Sequence, residues 1–400
     1  MKYPNSLTAL EDDLKKSPET EITSLAHEII TMAKEYDLEM AEHLKTYPDY
    51  IIDGKLIERN LEHPVEFTHN SVLGAPGADS ISHPIEENEE WNKGRRATNT
   101  GAVYKLNERG LPINPYLKTG ITGQGLLWQL GPNHAVDNGL LTIKPDEINL
   151  PTLYAIGINR KDSAAKTASF AGGFAKFKKT TQGYILDKET VAASQAEEFF
   201  EEMLSGSVEL LPEYQNRITE EFNKEIAKRM QKRSTVLDED KLEEIRGQVT
   251  VHLKMKQVEE YDNKFFNRLT NLFSSAKECY AGPVLNSARN TDNSWIETRL
   301  SWILLDDEKW KYIRGEKPKF DYQLSAGDDA AAVKYFKVDG ELVKQASSSH
   351  KAMFAFMVAS FMLDTQSKKQ SLDKNILNQI KDFNRVLKTK PSHASSIASG

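Results

Sequence analysis

Residues 189–204 read ETVAASQAEEFFEEML, and the spacing of two residue types in this run decides the fold class. On a helix, Ala192, Ala196, Phe199 and Met203 fall at i, i+4, i+7 and i+11 and form an apolar stripe. Glu198, Glu201 and Glu202 fall at i, i+3 and i+4 and put three carboxylates on a neighbouring face. Three acids converging beside a face that must be buried are unfavourable unless something positive neutralises them. Mg²⁺ or Mn²⁺, hard ions that take oxygen ligands, would do so. Simple solvation of a glutamate-rich helix is the alternative reading.

Working outward, residues 153–159 (LYAIGIN) form a short apolar run between Pro151 and Arg160, the mark of a largely buried strand. Gly172 and Gly173 follow a further strand-like stretch, and β-type runs recur at 294–305 and 332–338. Strands and helices in this order predict an α/β (α+β) core. Residues 20–47 carry a helical pattern through Ile22, Leu25, Ile29, Met32 and Met40. Residues 50–149 are rich in Gly, Pro and Asn, with a candidate strand at 102–106. Residues 212–275 turn charged and periodic, with Leu242, Ile245, Val249 and Leu253 at helical spacing. They read as a solvated helical insertion or as a partner-binding element. The tail after Lys388 is rich in Ser, Ala and Lys and is expected to be disordered.

Composition narrows the function classes. With 52 basic and 59 acidic residues the net charge is −7, which speaks against binding nucleic acid through bulk charge. The single cysteine, Cys279, can form no internal disulfide and no cysteine-rich zinc site. The first residues contain no apolar signal core, and the longest apolar run, 352–363, is too short for the ~30 Å of a bilayer core. A cytoplasmic protein without a membrane segment is expected.

Gly183, Glu189, Glu198, Phe199, Glu201 and Glu202 together resemble the Nudix box, G-x5-E-x7-R-E-U-x-E-E-x-G-U, where U is bulky and apolar. Glu197 stands where the box has arginine, Met203, Leu204 and Ser205 follow without the last glycine, and the pair Gly172 and Gly173 lies ten residues early. Further blocks follow in order: PVEFT at 64–68, NPYLKTGITGQGLL at 114–127, GPNHA at 131–135, YAG at 280–282, RNTDNSWIET at 289–298, AGDDA at 326–330 and VKY at 333–335. This series resembles the ADP-ribose pyrophosphatase family of Nudix hydrolases, which includes an animal mitochondrial enzyme and the Nudix-like domain of melastatin-type channels. Lys118 and Gln124 replace two arginines of the family's pattern.

The resemblance implies a Nudix α/β/α sandwich with a mixed sheet, divided as follows. Residues 1–49 form a helical extension, and 50–149 a smaller domain completing the ligand pocket. The Nudix domain spans 150–211 and 276–365, split by the helical insertion at 212–275, and 366–400 form a C-terminal helix and tail. The implied reaction is metal-dependent hydrolysis of ADP-ribose, or of a related nucleoside diphosphate sugar, to AMP and ribose 5-phosphate. Glu198, Glu201 and Glu202 would hold Mg²⁺ or Mn²⁺, with Glu189 in support. Gly172 and Gly173 would let backbone approach the pyrophosphate or simply make a turn. His134, Arg289, Asn290 and Asp292 would lie near the ligand, or, for the histidine and the Asn and Asp side chains, hold loops. Phe170 would pack against adenine or ribose, or belong to the core. Asp328 or Asp329 would act as general base. Two other readings stand beside the enzyme: an ADP-ribose-binding module that has lost hydrolysis, and an interaction protein using its helical insertion.

Overall fold

The computed structural model of the protein describes residues 3–43, 50–52, 55–57, 59–68, 96–160, 167–180, 183–232, 239–327 and 330–389. In chain order, α1 (Thr8–Lys16) and α2 (Glu21–His43) precede a hairpin of β1 (Tyr50–Ile52) and β2 (Lys55–Ile57). Next come β3 (Val65–Thr68), β4 (Ile121–Gly125), β5 (Gly131–Pro145), β6 (Pro151–Arg160), β7 (Ala168–Ser169), β8 (Ala171–Phe174), β9 (Lys178–Thr180) and β10 (Gly183–Ile185). Helix α3 (Lys188–Phe199) continues into a π-helical turn (Phe200–Leu204), followed by α4 (Pro212–Gln215), α5 (Ile218–Lys232), α6 (Glu239–Tyr261) and α7 (Phe265–Ser274). The chain then runs through β11 (Lys277–Pro283), β12 (Ser294–Leu304), α8 (Asp307–Arg314), β13 (Ala330–Lys337), α9 (Gly340–Gln345), α10 (Ser348–Ser367) and α11 (Lys374–Leu387).

The central sheet has the order β11-β12-β5-β6-β13, with β7 on β6 and β8 on β5. It is mixed: β12 runs parallel to β5, and the other pairs are antiparallel. Strand β5 lies at its centre and changes partner along one edge. Ala135 to Asn138 pair with β8, whereas Leu140 to Pro145 pair with β6. Both faces are covered. Leu140 joins the core under α3, α7 and α8, and its neighbour Leu141 joins the core under α2, α10 and α11. This is the expected α/β/α sandwich, because strand alternation sends successive side chains into opposite layers.

The strands expected at 153–159, 294–305 and 332–338 are β6, β12 and β13. Residues 212–275 are largely helical, and α5 and α6 pack around a small core of Tyr214, Ile245, Val249 and Leu253. The apolar run at 352–363 lies within the buried helix α10. Among the described residues no helix is long and apolar enough to cross a membrane. Residues 390–400 of the expected disordered tail lie outside the described residues. Strand β5, which falls within the span 50–149, pairs in the central sheet rather than apart from it.

Two local expectations need correction. Residues 102–106 form no strand: only Leu106 bridges to Pro112, and proline has no N–H with which to extend a ladder. The helix through 189–204 is not α-helical throughout, because it widens into the π turn at Phe200. At the outer edge of the sheet, Ser6 O accepts the Ala281 N–H of β11 at 2.9 Å. Here the segment before α1 approaches so closely that a Cβ on Gly282 would stand 2.2 Å from Ser6 Cβ.

Candidate active site

Asp187 caps α3, its Oδ1 accepting the Thr190 N–H at 2.8 Å. Ala192, Ala196, Phe199 and Met203 are buried, as their spacing predicts, and Val191 is buried beside them. The π turn is anchored from below: Phe200 packs edge-on against Phe265 and Phe266, with ring centres 5.8 and 5.4 Å away. Burial of Phe199, Phe200, Met203 and Leu204 contributes on the order of 2 kcal/mol each. The widened turn is also held from outside, since Met203 O accepts Ser325 N–H at 2.8 Å and Glu202 O accepts Gly327 N–H at 3.0 Å. Only glycine fits at 327, where a Cβ would stand 1.6 Å from Glu201 O. Such π turns recur at functional sites because they reset which side chains face a cleft.

Glu198, Glu201 and Glu202 line a cavity of about 380 Å³. The wall adjoining the acidic turn is formed by Gly172, Gly173 and Phe174 of β8 and by Ala135 and Asp137 of β5. The remaining wall includes Ser287, Arg289, Ile296, Thr298, Gln248 and His350. The glycine strand and the acidic turn touch directly. Gly172 N–H donates to Glu202 Oε2 at 2.6 Å, and a Cβ on Gly173 would stand 2.4 Å from Glu198 Oε1. Glycine at 172 and 173 therefore answers to close approach within a strand, not to a turn.

The electrostatics are lopsided. Burial pushes the Glu198 carboxyl up to about 9, and the like charges of Glu201 and Glu202 push the same way. Glu197, in the place of the box arginine, forms an ion pair with Lys176. The Arg289 guanidinium sits 5.9 Å from the centre of the Phe174 ring. Thr298 Oγ1 donates to Asp137 Oδ2 at 2.6 Å. His350 Nδ1 accepts the Phe170 N–H at 3.2 Å, which leaves a neutral ring with its proton on Nε2.

Among the described residues no group of three His, Cys, Asp or Glu side chains stands in a ready-made metal cage. The donor set nevertheless suits a hard cation. Three carboxylates share one cavity wall, their donors are all oxygen, and Glu198 is raised by burial first and then by like charges that a bound cation would offset.

Six of the expected site residues line the cavity together: Gly172, Gly173, Glu198, Glu201, Glu202 and Arg289. Others sit elsewhere. Phe170 is fully buried and stacks on Phe354 with ring centres 4.1 Å apart, so it belongs to the core and not to the cavity wall. His134 is buried against the Phe177 ring, 5.4 Å away; its neighbour Ala135 faces the cavity, and alternation turns His134 to the other side. Asn290 fastens a loop, donating to Val284 O and accepting Ile296 N–H. Asp292 ties that loop to another, accepting from Thr119 Oγ1 at 2.9 Å and from the Thr119 and Gly120 N–H groups. Glu189 is exposed on the first turn of α3, nine residues from Glu198 and so ~13 Å along the axis. Asp328 and Asp329 lie outside the described residues.

Five polar wall residues escaped the sequence reading: Asp137, Gln248, Ser287, Thr298 and His350. Asp137 and Thr298 end quoted blocks or lie beside them, and alternation from Ala135 would have found the first. Gln248 and His350 come from helices whose periodicity shows only core.

No family model matches the chain. It is 28% identical over 311 residues to the mitochondrial ADP-ribose pyrophosphatase of Rattus norvegicus, covering 74% of this chain and 69% of that protein. It is 28% identical over 244 residues to "Transient receptor potential cation channel subfamily M member-like 2" of Nematostella vectensis, covering 60% of this chain but 11% of the channel. It is 25% identical over 239 residues to "Putative nudix hydrolase 6" of Caenorhabditis elegans, covering 60% of each chain. With its mixed sheet between helical layers, the chain is similar to proteins named as Nudix hydrolases. Over the longest of these stretches its likeness is to an ADP-ribose pyrophosphatase.

Proposed function

We propose that the protein is a hydrolase that binds ADP-ribose, or a related nucleoside diphosphate sugar, in this cavity. It cleaves the pyrophosphate to AMP and a sugar phosphate, ribose 5-phosphate for ADP-ribose. The observation that carries the reading is the meeting of the glycine strand, the acidic turn and Arg289 around one cavity, supported by the relatives.

Two adjoining phosphates bring charge that three carboxylates would repel. Glu198, Glu201 and Glu202 would hold Mg²⁺ or Mn²⁺, which supplies the positive charge that offsets phosphate and carboxylate alike. The chain's own groups position the substrate. Gly172 and Gly173 carry no side chain, so a phosphate can approach the backbone of β8. Arg289 offers a planar cation suited to phosphate oxygens. His350, with its proton on Nε2, offers a neutral donor. The helical insertion contributes Gln248 to the wall, so this segment borders the ligand as well as the solvent.

The test is incubation of the purified protein with ADP-ribose and Mg²⁺ or Mn²⁺, with AMP followed by chromatography and Glu201→Gln in parallel. AMP release that the substitution abolishes is the expected result. Binding of ADP-ribose without AMP would reduce the protein to a binding module, and AMP release that survives the substitution would overturn the ligand set.

A further inference from the structure

Glu197, Glu198, Glu201 and Glu202 crowd six residues at the end of α3 and the start of the π turn. Lys176 meets this group from the end of the glycine strand. Its Nζ pairs with Glu197, and the charges of Glu201 and Glu198 act on it as well. Its backbone N–H donates to Ser194 Oγ at 3.0 Å, and that hydroxyl is itself fixed by donating to Thr190 O at 3.0 Å. Ser194 and Glu197 are one turn apart, so a single residue grips α3 at two successive points. Lys176 stands two residues beyond β8, so the grip reaches Gly172 and Gly173 through a very short length of chain.

We propose that Lys176 is a positioning residue of this site: held by Ser194 and Glu197, it clamps the glycine strand to the acidic turn and keeps Glu197 apart from the carboxylates that take the cation. The inference rests on the function proposed above. Stability alone does not account for the arrangement, since a pair with the lysine side chain 64% exposed is worth less than about 1 kcal/mol. The arrangement also reassigns a charge. An acid stands where the family's box has a base, and a base stands just beyond the glycine strand and pairs with that acid.

The test combines Mn²⁺ titration of the substrate-free protein, read by paramagnetic resonance of the free ion, with steady-state AMP release. In Lys176→Met, Glu197 joins the acidic group and a competing cation is lost, so Mn²⁺ should bind about tenfold tighter. Turnover should nevertheless fall by about tenfold or more, with KM for ADP-ribose changed less than about threefold, because the two walls lose their register. The double variant Lys176→Glu, Glu197→Lys restores the pair and should recover turnover, as should Lys176→Arg. A merely structural pair would not tighten Mn²⁺ binding. Mn²⁺ affinity and turnover both within about twofold of wild type in Lys176→Met would overturn the clamp. If the wild type releases no AMP, the proposed reaction fails and the Mn²⁺ titration alone decides: tighter binding upholds the clamp, and unchanged binding ends it.

Discussion

The acidic end of α3 holds a half-buried glutamate and the start of β12 a fully buried one, and in both cases loss of solvent raises the carboxyl pKa, to about 9 for Glu198 and about 7 for Glu297. Their surroundings are opposite. Glu297 is enclosed by donors: Trp295 Nε1–H at 3.0 Å, Tyr116 O–H at 3.1 Å and the Asn99 N–H. Glu198 faces Glu201 and Glu202, whose charges add to the effect of burial. A buried acid with its donors in place fastens the fold, whereas acids set against one another are held ready for something the chain does not supply. Asp292 belongs with Glu297, since it ties Thr119 and Gly120 to the loop that carries Arg289.

Several substitutions would break or sharpen this contrast. The largest effect is expected on turnover: Glu201→Gln should slow AMP release by about a thousandfold while leaving urea unfolding near wild type. Next, Glu297→Ala removes the acceptor of three donors, the buried Trp295 Nε1–H among them, and should destabilise the protein by about 3 kcal/mol in urea unfolding. A loss below about 1 kcal/mol would put Glu297 outside the fastening class. The pH dependence follows from its raised pKa. Its stabilising contribution is complete below the ordinary value of 4.5 and fades as pH climbs through about 7. Wild type should thus lose about 2 kcal/mol more than Glu297→Gln between about pH 5 and about pH 8, and parallel pH profiles would refute this. The smallest effect has the opposite sign. Glu198→Gln removes one acid from a crowded group and should stabilise the metal-free protein by about 1 kcal/mol while costing activity, read by thermal unfolding without divalent ions.

How much of this was legible in the sequence depends on where the determining contacts lie. The acidic face of α3 and strands β6, β12 and β13 were legible because their periodicity is local. The π turn was not: it depends on Ser325 and Gly327, more than a hundred residues on, taking up the carbonyls that the widened turn frees. Strand β5 was hidden for another reason. It buries Asn133, His134, Asp137 and Asn138, so the longest strand of the sheet lacks the apolar run expected of a central one. Phe170 was ambiguous because a phenylalanine beside a glycine pair suits a ligand and a core equally well.

The segment at Ser6 bears on how one margin of the sheet is finished. Strand β11 forms one margin of the central sheet, and an uncovered margin of this kind is a template for pairing with another copy. Ser6 answers one of its N–H groups, and α1 packs beside it. Ser6 and α1 thus act as a selvedge along this stretch of the margin, occupying ground where another strand would otherwise lie.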